Sequence, residues 1–86
     1  MLPDIKYEIV RNIGVLSVTK SGWKKEVKII KWISNNKENI PKIDIRDWSP
    51  DGTKMGKGIT LDREEAAKLI DLLKEAGIQL SEIIRY

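Results

Sequence analysis

The sequence predicts an α+β fold in which four to five antiparallel β-strands are followed by a C-terminal helix. Two observations predict it. The first two thirds of the chain contain short runs of β-forming residues separated by turn signals. The last third instead repeats apolar residues at the three- and four-residue spacing of a helix. A sheet covered on one face by a helix buries both patterns.

The first half of the chain predicts three strands. Residues 5–11 and 15–19 form the first two because β-formers dominate both, and residues 12–14 between them have a turn composition. Residues 24–33 form the third, whose imperfect alternation requires a bulge or partial burial of both faces. The polar residues 34–39 are expected to form a mobile loop.

Residues 42–48 form the most regular strand. Ile43 and Ile45 point to one face of the sheet, whereas Arg46 and Trp48 point to the other. One helix can cover only one face. We therefore expect the isoleucine face beneath the helix and the face with Arg46 and Trp48 to be bare.

The segment after this strand predicts the last two elements. Residues 49–52 combine Ser, Pro, Asp and Gly in a turn, and residues 57–61 form the last strand. Asp62 can cap a helix, and Glu65 occupies the capping-box position three residues later. These signals predict that the helix begins directly after the sheet.

The helix carries an apolar stripe that is wide for one helix on a small sheet. The stripe consists of Ala66, Leu69, Ile70 and Leu73. Gly77 is expected to end this helix, and a second short helix is expected to begin near Ser81. A core of this size is marginal, so dimerisation is a reasonable expectation.

Composition excludes several classes of function. The 86 residues form one domain, residues 1–86, and 41% hydrophobic with 34% charged residues is typical of a folded, soluble protein. The chain has no histidine and no cysteine, so it lacks the commonest general base, the thiol nucleophile and thiolate metal ligands. We expect no catalysis, metal or cofactor. No run is apolar enough to span a membrane, and the N-terminus lacks a signal-peptide pattern, which favours the cytoplasm.

The positive charge is concentrated in the middle of the chain. The whole chain has a net charge of only +3, but residues 20–57 carry ten Lys and Arg against five Asp and Glu. A local basic surface attracts phosphate more strongly than the same charge spread evenly. Within this segment lies a basic run with one tryptophan: Lys20, Trp23, Lys24, Lys25, Lys28 and Lys31.

The basic run has two interpretations. Lysines interleaved with tryptophan are typical of single-strand binding, because the charges hold phosphates and the ring stacks on exposed bases. The alternative is a solvated strand whose lysines protect a sheet edge from aggregation.

Trp48 and Arg46 also have two interpretations each. A tryptophan on the polar face of a strand indicates base stacking, or packing beneath the turn at residues 49–52 or against a dimer partner. Arg46 could hold a phosphate, or it could pair with Asp44 or Asp47.

Three segments resemble a known family. IDIRDWSPDG at residues 43–52 and KMGKGITL at residues 54–61 are similar to the C-terminal domain of the eukaryotic transcriptional positive cofactor four family. They are more similar still to its small bacterial homologues, the YdbC-like proteins. SGWKKE at residues 21–26 also resembles the bacterial branch.

The resemblance implies a curved four-stranded antiparallel sheet plus a helix, paired through the helices into a homodimer. It implies binding of single-stranded DNA across the sheets without strong sequence preference, in transcription, replication or repair. It also implies contacts with the transcription machinery and, in a bacterium, a place at the nucleoid. The stripe residues expected at the dimer interface are Ala66, Leu69, Ile70 and Leu73.

The resemblance also assigns binding residues. Arg46 and Trp48 match the family's DNA-contacting arginine and stacking aromatic. Trp23 and its neighbouring lysines match the region that grips DNA. Lys54 and Lys57 flank the last strand and are expected to contact phosphates.

Two alternatives stay open. Stacking and phosphate contacts do not by themselves separate DNA from RNA. The other alternative is a protein-interaction dimer with no nucleic-acid role. It is favoured if five cationic side chains are scattered rather than gathered on one face: Lys24, Lys25, Lys28, Arg46 and Lys57.

Overall fold

The computed structural model describes residues 6–34 and 37–83 and confirms the predicted α+β fold. Its elements are β1 Lys6–Val18, β2 Lys24–Ser34, β3 Lys37–Glu38, β4 Lys42–Trp48, β5 Met55–Leu61 and α1 Arg63–Ile83. The strands pair antiparallel in the order β1-β2-β4-β5, and the two-residue β3 pairs with β2.

The predicted turn at residues 12–14 is wrong, because β1 continues through it. Positive φ angles occur at Gly22 and Gly52, whereas Gly14 lies within the strand. The pairing of β1 with β2 instead shifts register three times, between Ile9 and Arg11, between Asn12 and Gly14, and between Val15 and Ser17. Bulges of this kind bend a strand and increase its twist.

The predicted loop at residues 34–39 is shorter than expected. Ser34 ends β2, and β3 pairs back on it through Ser34–Lys37 and Ile33–Glu38. Residues 35 and 36 of this loop, like residue 5 of the predicted first strand, lie outside the described residues.

The turn after β4 is confirmed and is held by side chains. The amide of Gly52 donates to the Ser49 carbonyl at 2.9 Å. The Asp51 carboxylate accepts from the Ser49 hydroxyl at 2.7 Å and from the Thr53 hydroxyl at 2.8 Å and amide at 3.0 Å. These donors lower the pKa of Asp51 to about 2. Because the folded-state pKa lies below the ordinary value of 3.8, this stabilisation is present above about pH 4 and is lost as the pH falls through about 2.

Helix α1 begins as predicted and ends later than predicted. The Glu65 amide donates to Asp62 Oδ1 at 2.8 Å, and the Asp62 amide donates to Glu65 Oε1 at 3.0 Å, which completes the capping box. Gly77 does not end the helix, and the helix expected near Ser81 is its continuation. A glycine within a helix costs only about 0.5–1 kcal/mol relative to alanine, so the flanking helix-forming residues carry α1 through Gly77.

The first half of α1 lies against the isoleucine face of the sheet, which we call the helix-side face. Ala66 is buried against it and Leu69 is half-buried. Two apolar grooves flank the helix, one beside Ile59 and Leu61 and the other beside Ile43. Ala66 thus packs on its own sheet, and its place in a dimer interface stays a prediction.

The opposite face curls into a second core, which we call the concave face. Trp48 pairs with Lys24, eight positions along β2 from Trp32. Eight extended residues span about 26 Å. The Tyr7 ring nevertheless lies 5.9 Å from the Trp32 ring and 5.8 Å from the Trp48 ring, centroid to centroid. Only a strongly curved sheet brings both tryptophans against one tyrosine.

Candidate nucleic-acid interface

The two hairpin turns of the sheet meet at one end. Gly22 has a φ of 90°, and a Cβ there would lie 3.0 Å from Pro50 Cγ, so the β1–β2 turn rests on the β4–β5 turn. The Thr19 carbonyl accepts from the Gly22 amide at 3.0 Å, and the Thr19 amide donates to the Trp23 carbonyl at 2.8 Å. This closed turn places Trp23 at the start of β2.

Trp23 packs over a glycine of β5. A Cβ added at Gly56 would lie 3.3 Å from Trp23 Cζ3 and 3.3 Å from Asp47 Cβ, so a side chain at Gly56 would crowd the ring. Trp23 is half-buried in this position. One part of the indole is therefore fixed by the sheet while another part faces solvent.

Exposed lysines lie at the same end of the sheet as Trp23. Lys25 pairs with Asp47, and a bulge sets Gly56 and Lys57 opposite the same Asp47, so these side chains share the helix-side face beyond the helix. The two touching turns add one exposed lysine each. We call this group the turn-end cluster: Lys20, Trp23, Lys25, Lys54 and Lys57.

Trp48 shares a face with Arg46 as predicted, but the expectation of a bare face is wrong. Trp48 is 1% exposed. The Tyr7 ring packs on it, and Lys28 Nζ lies 5.1 Å from its ring centroid. The curvature of the sheet folds β1 over the ring, so packing, the alternative interpretation, describes Trp48 in this conformation.

Arg46 forms the ion pair that was its alternative interpretation. Its Nε and Nη2 donate to the two Asp44 carboxylate oxygens at 2.6 and 2.8 Å, and Nη1 donates to the Gly56 carbonyl at 3.3 Å. The guanidinium also lies 5.3 Å from the Trp32 ring centroid. Asp44 is fully buried and accepts a further bond from the Thr60 hydroxyl at 2.9 Å.

The basic run does not form one surface. Strand alternation sends Lys24 and Lys28 to the concave face and Lys25 and Lys31 to the helix-side face. Lys28 is 7% exposed and donates to Asn12 and to Glu26, the latter at 3.2 Å. Lys31 pairs with Glu8 at 3.0 Å. Lys28 is therefore buried and paired here, and its contact with DNA stays a prediction.

The five cations chosen to test the interaction-only alternative divide between the faces. Arg46, Lys24 and Lys28 lie on the concave face, whereas Lys25 and Lys57 lie on the other. This division between two faces is the outcome expected for a protein-interaction dimer with no nucleic-acid role. Of the residues predicted to bind DNA, those that lie together and exposed are the members of the turn-end cluster.

Sequence reasoning missed the part that Tyr7 plays. Tyr7 lies in the first predicted strand, and the structure shows it half-buried as the cover of both Trp32 and Trp48. The register shifts of β1 set this position, and alternation alone carries no signal for them.

The antiparallel sheet followed by one helix, with a basic, tryptophan-bearing end, defines a small α+β domain. Residues 19–72 match the family described as Transcriptional Coactivator p15 (PC4), and the chain belongs to that family. The family is known for single-stranded DNA binding and transcriptional coactivation and is non-catalytic. The chain is also 48% identical over 75 residues to an uncharacterized protein of Treponema pallidum (strain Nichols), a match that covers 87% of this chain and 84% of the relative.

Two further observations concern other kinds of site. Among the described residues, no cluster of three or more acidic side chains is arranged to hold a metal ion. Within the same residues, α1 is too polar to serve as a membrane-crossing helix.

Proposed function

We propose that the protein binds single-stranded DNA with little sequence preference, as a homodimer, in transcription, replication or repair. The observation that supports this most is Trp23, whose half-buried ring packs over Gly56 at the end of the sheet that carries the exposed Lys25 and Lys57. Membership of the coactivator family supports DNA as the ligand, the transcription machinery as a further partner, and a cytoplasmic place at the nucleoid.

The chemistry of the turn-end cluster suits a single strand. A fixed indole can stack on any base, and flanking lysines hold the phosphates on either side of it. Helix α1 is poorly suited to the major groove of a duplex, since it lies on the sheet and its first turn carries Glu64 and Glu65. A single strand, whose bases are open to stacking, is therefore the favoured ligand, and RNA is the second candidate.

Replacing Trp23 with alanine should weaken oligo(dT) binding roughly 5- to 150-fold, which corresponds to the loss of about one stacked base. Fluorescence anisotropy of a labelled oligonucleotide measures this. Trp23→Phe keeps a ring and should recover most of the affinity. Parent-like affinity in Trp23→Ala would contradict the proposed stacking, and competition with a matched RNA oligonucleotide decides between the two nucleic acids.

The same titration at several salt concentrations tests the lysines. Lys25→Ala and Lys57→Ala should each reduce the slope of log affinity against log salt by about 0.7, the value for one phosphate contact on a single strand. Lys74→Ala removes an exposed helix lysine away from the turn-end cluster and should leave the slope unchanged. If all three variants keep the parent's slope, neither Lys25 nor Lys57 contacts a phosphate.

The homodimer is proposed from unpaired apolar surface. Six apolar residues of α1 are each more than half exposed: Ile70, Leu72, Leu73, Ile78, Leu80 and Ile83. The accessible surface of the subunit is 7338 Å² for 9.9 kDa, whereas a compact monomer of this mass exposes about 5,200 Å². The excess of about 2,000 Å² is the amount that one subunit buries in a large obligate interface.

Leu73→Asp should convert the dimer into a monomer, because a carboxylate cannot be buried without a partner. Light scattering coupled to size exclusion should give a mass near 9.9 kDa for this variant and about twice that for the parent. Glu82→Lys changes an exposed charge nine residues further along α1, on the side opposite Leu73, and should remain dimeric. A parent protein that elutes as a monomer would refute the dimer.

A further inference from the structure

The edge strand β1 exposes apolar side chains along most of its length. It pairs with β2 on one side, and no strand of the described residues pairs with its other side. Five of its apolar residues are each more than half exposed: Val10, Ile13, Val15, Leu16 and Val18. An exposed apolar edge of this kind associates with other chains unless charges or bulges protect it.

The half of β1 nearest the β1–β2 turn lacks protective charges. Residues 12–18 contain no charged side chain, although 34% of the whole chain is charged. The charged residues of β1 all precede this segment, and one of them, Glu8, pairs with Lys31. An acidic or basic partner would find no opposite charge here, whereas a second copy can approach without repulsion between like charges.

Three of the exposed residues recur at a regular interval, and we call them the bulge row. Val10, Ile13 and Leu16 lie where the pairing of β1 with β2 shifts register. They fall opposite points two residues apart on β2, so consecutive members are about 7 Å apart along the strand. An evenly spaced row fits an antiparallel copy of itself, because both copies repeat at the same interval and a two-fold axis brings the same patch of each together.

The bulge row lies on the edge of the sheet farthest from the helix. The strand order is β1-β2-β4-β5, and α1 contacts β4 and β5. A dimer formed through α1 therefore leaves one β1 at each of its outer ends. Val18, the last residue of β1, is two residues before Lys20 of the turn-end cluster. A nucleic-acid strand that passes from one dimer to the next would bring two bulge rows together.

We propose that the bulge row joins neighbouring dimers on one nucleic-acid strand, each row packing on the row of a second copy. The inference rests on the proposed single-strand binding and on the dimer through α1, and it adds cooperativity between dimers. A contact of a few side chains is smaller than a stable interface between free proteins. Dimers bound to one strand are at high effective concentration, so the same contact is sufficient there. The protein should therefore fill a strand in continuous runs.

Binding to two lengths of oligo(dT) tests the contact. The shorter is the shortest strand that one dimer saturates, and the longer is twice that length. On the longer strand the second dimer should bind roughly tenfold more tightly than the first. The double variant Ile13→Gln, Leu16→Gln keeps the charge and should lose this gain, with parent-like affinity for the shorter strand. Ile40→Gln, at a side chain 80% exposed between β3 and β4, is the matched control and should keep the gain.

The two lengths separate failure of the contact from failure of the proposed function. Parent protein that binds the shorter strand but shows no gain on the longer one would overturn the contact alone. A double variant that keeps the gain, or that loses affinity for the shorter strand, would also overturn it. A parent protein that does not bind the shorter strand would refute the proposed function itself.

A cross-link locates the contact. The chain has no cysteine, so Ile13→Cys introduces one thiol per subunit, at the middle of the bulge row. A short bis-maleimide should join two subunits of this variant on the longer strand and not on the shorter one. Ile40→Cys should stay uncross-linked on both. If Ile13→Cys binds with the parent's gain and still does not cross-link, the contact lies elsewhere and the proposal is overturned.

Discussion

Arg46→Ala should lower the free energy of unfolding by about 3–5 kcal/mol, the cost of leaving a buried charge without its partner. Asp44 is fully buried, and Arg46 supplies two of the hydrogen bonds that its carboxylate accepts. Among the described residues, the Thr60 hydroxyl would be the one side-chain donor left to Asp44 in the variant. Urea unfolding followed by circular dichroism measures the loss.

Two companion variants identify the cause. Arg46→Lys keeps the charge but cannot donate two parallel bonds, so it should fall between the parent and Arg46→Ala. Asp44→Asn in the Arg46→Ala background removes the stranded charge and should recover part of the stability, as a double-mutant cycle would show. A change below about 1 kcal/mol in Arg46→Ala would mean that the pair behaves like an exposed one.

A loss of stability of this size would also lower the DNA affinity measured for Arg46→Ala. A variant that is partly unfolded loses binding whether or not its side chain contacts DNA. The salt slope separates the two cases, because it depends on the number of phosphates neutralised by the folded protein. If Arg46 pairs with Asp44 and contacts no phosphate, the folded fraction of Arg46→Ala should keep the parent's slope of log affinity against log salt.

The sequence predicted the elements well where local chemistry determines them. The alternation of β4, the turn at Ser49–Gly52 and the capping box of α1 depend on neighbouring residues, and all three are confirmed. The helix end at Gly77 was wrong because one glycine is a weak stop signal within a longer helical segment.

The site was harder to predict because it depends on curvature. Alternation correctly put Arg46 and Trp48 on one face, but it could not show that this face closes on itself. Three bulges in β1 and the curl of the sheet bring Tyr7 over Trp48. A face that looks polar in the sequence is therefore a core of aromatic rings with a buried ion pair, and the exposed binding groups lie at the end of the sheet instead.

Gly58→Ala should destabilise the fold by about 3 kcal/mol, at the upper end for overpacking. A Cβ at Gly58 would lie 2.5 Å from the Ile45 carbonyl oxygen and 2.7 Å from Arg46 Cα, and it would overlap Arg46 Cβ. The first two are backbone atoms, so no change of side-chain rotamer relieves the clash. Strands β4 and β5 would have to separate, which would also pull Arg46 from the Gly56 carbonyl and Asp44 from the Thr60 hydroxyl.

Gly77→Ala is the matched control, because it adds the same methyl group where no atom lies within 4 Å. In the middle of α1 it should stabilise the protein by roughly 0.5–1 kcal/mol, since alanine loses less conformational freedom than glycine. Thermal unfolding of both variants should therefore move in opposite directions from the parent. A Gly58→Ala protein as stable as the parent would contradict the close approach of β5 to β4 at Gly58.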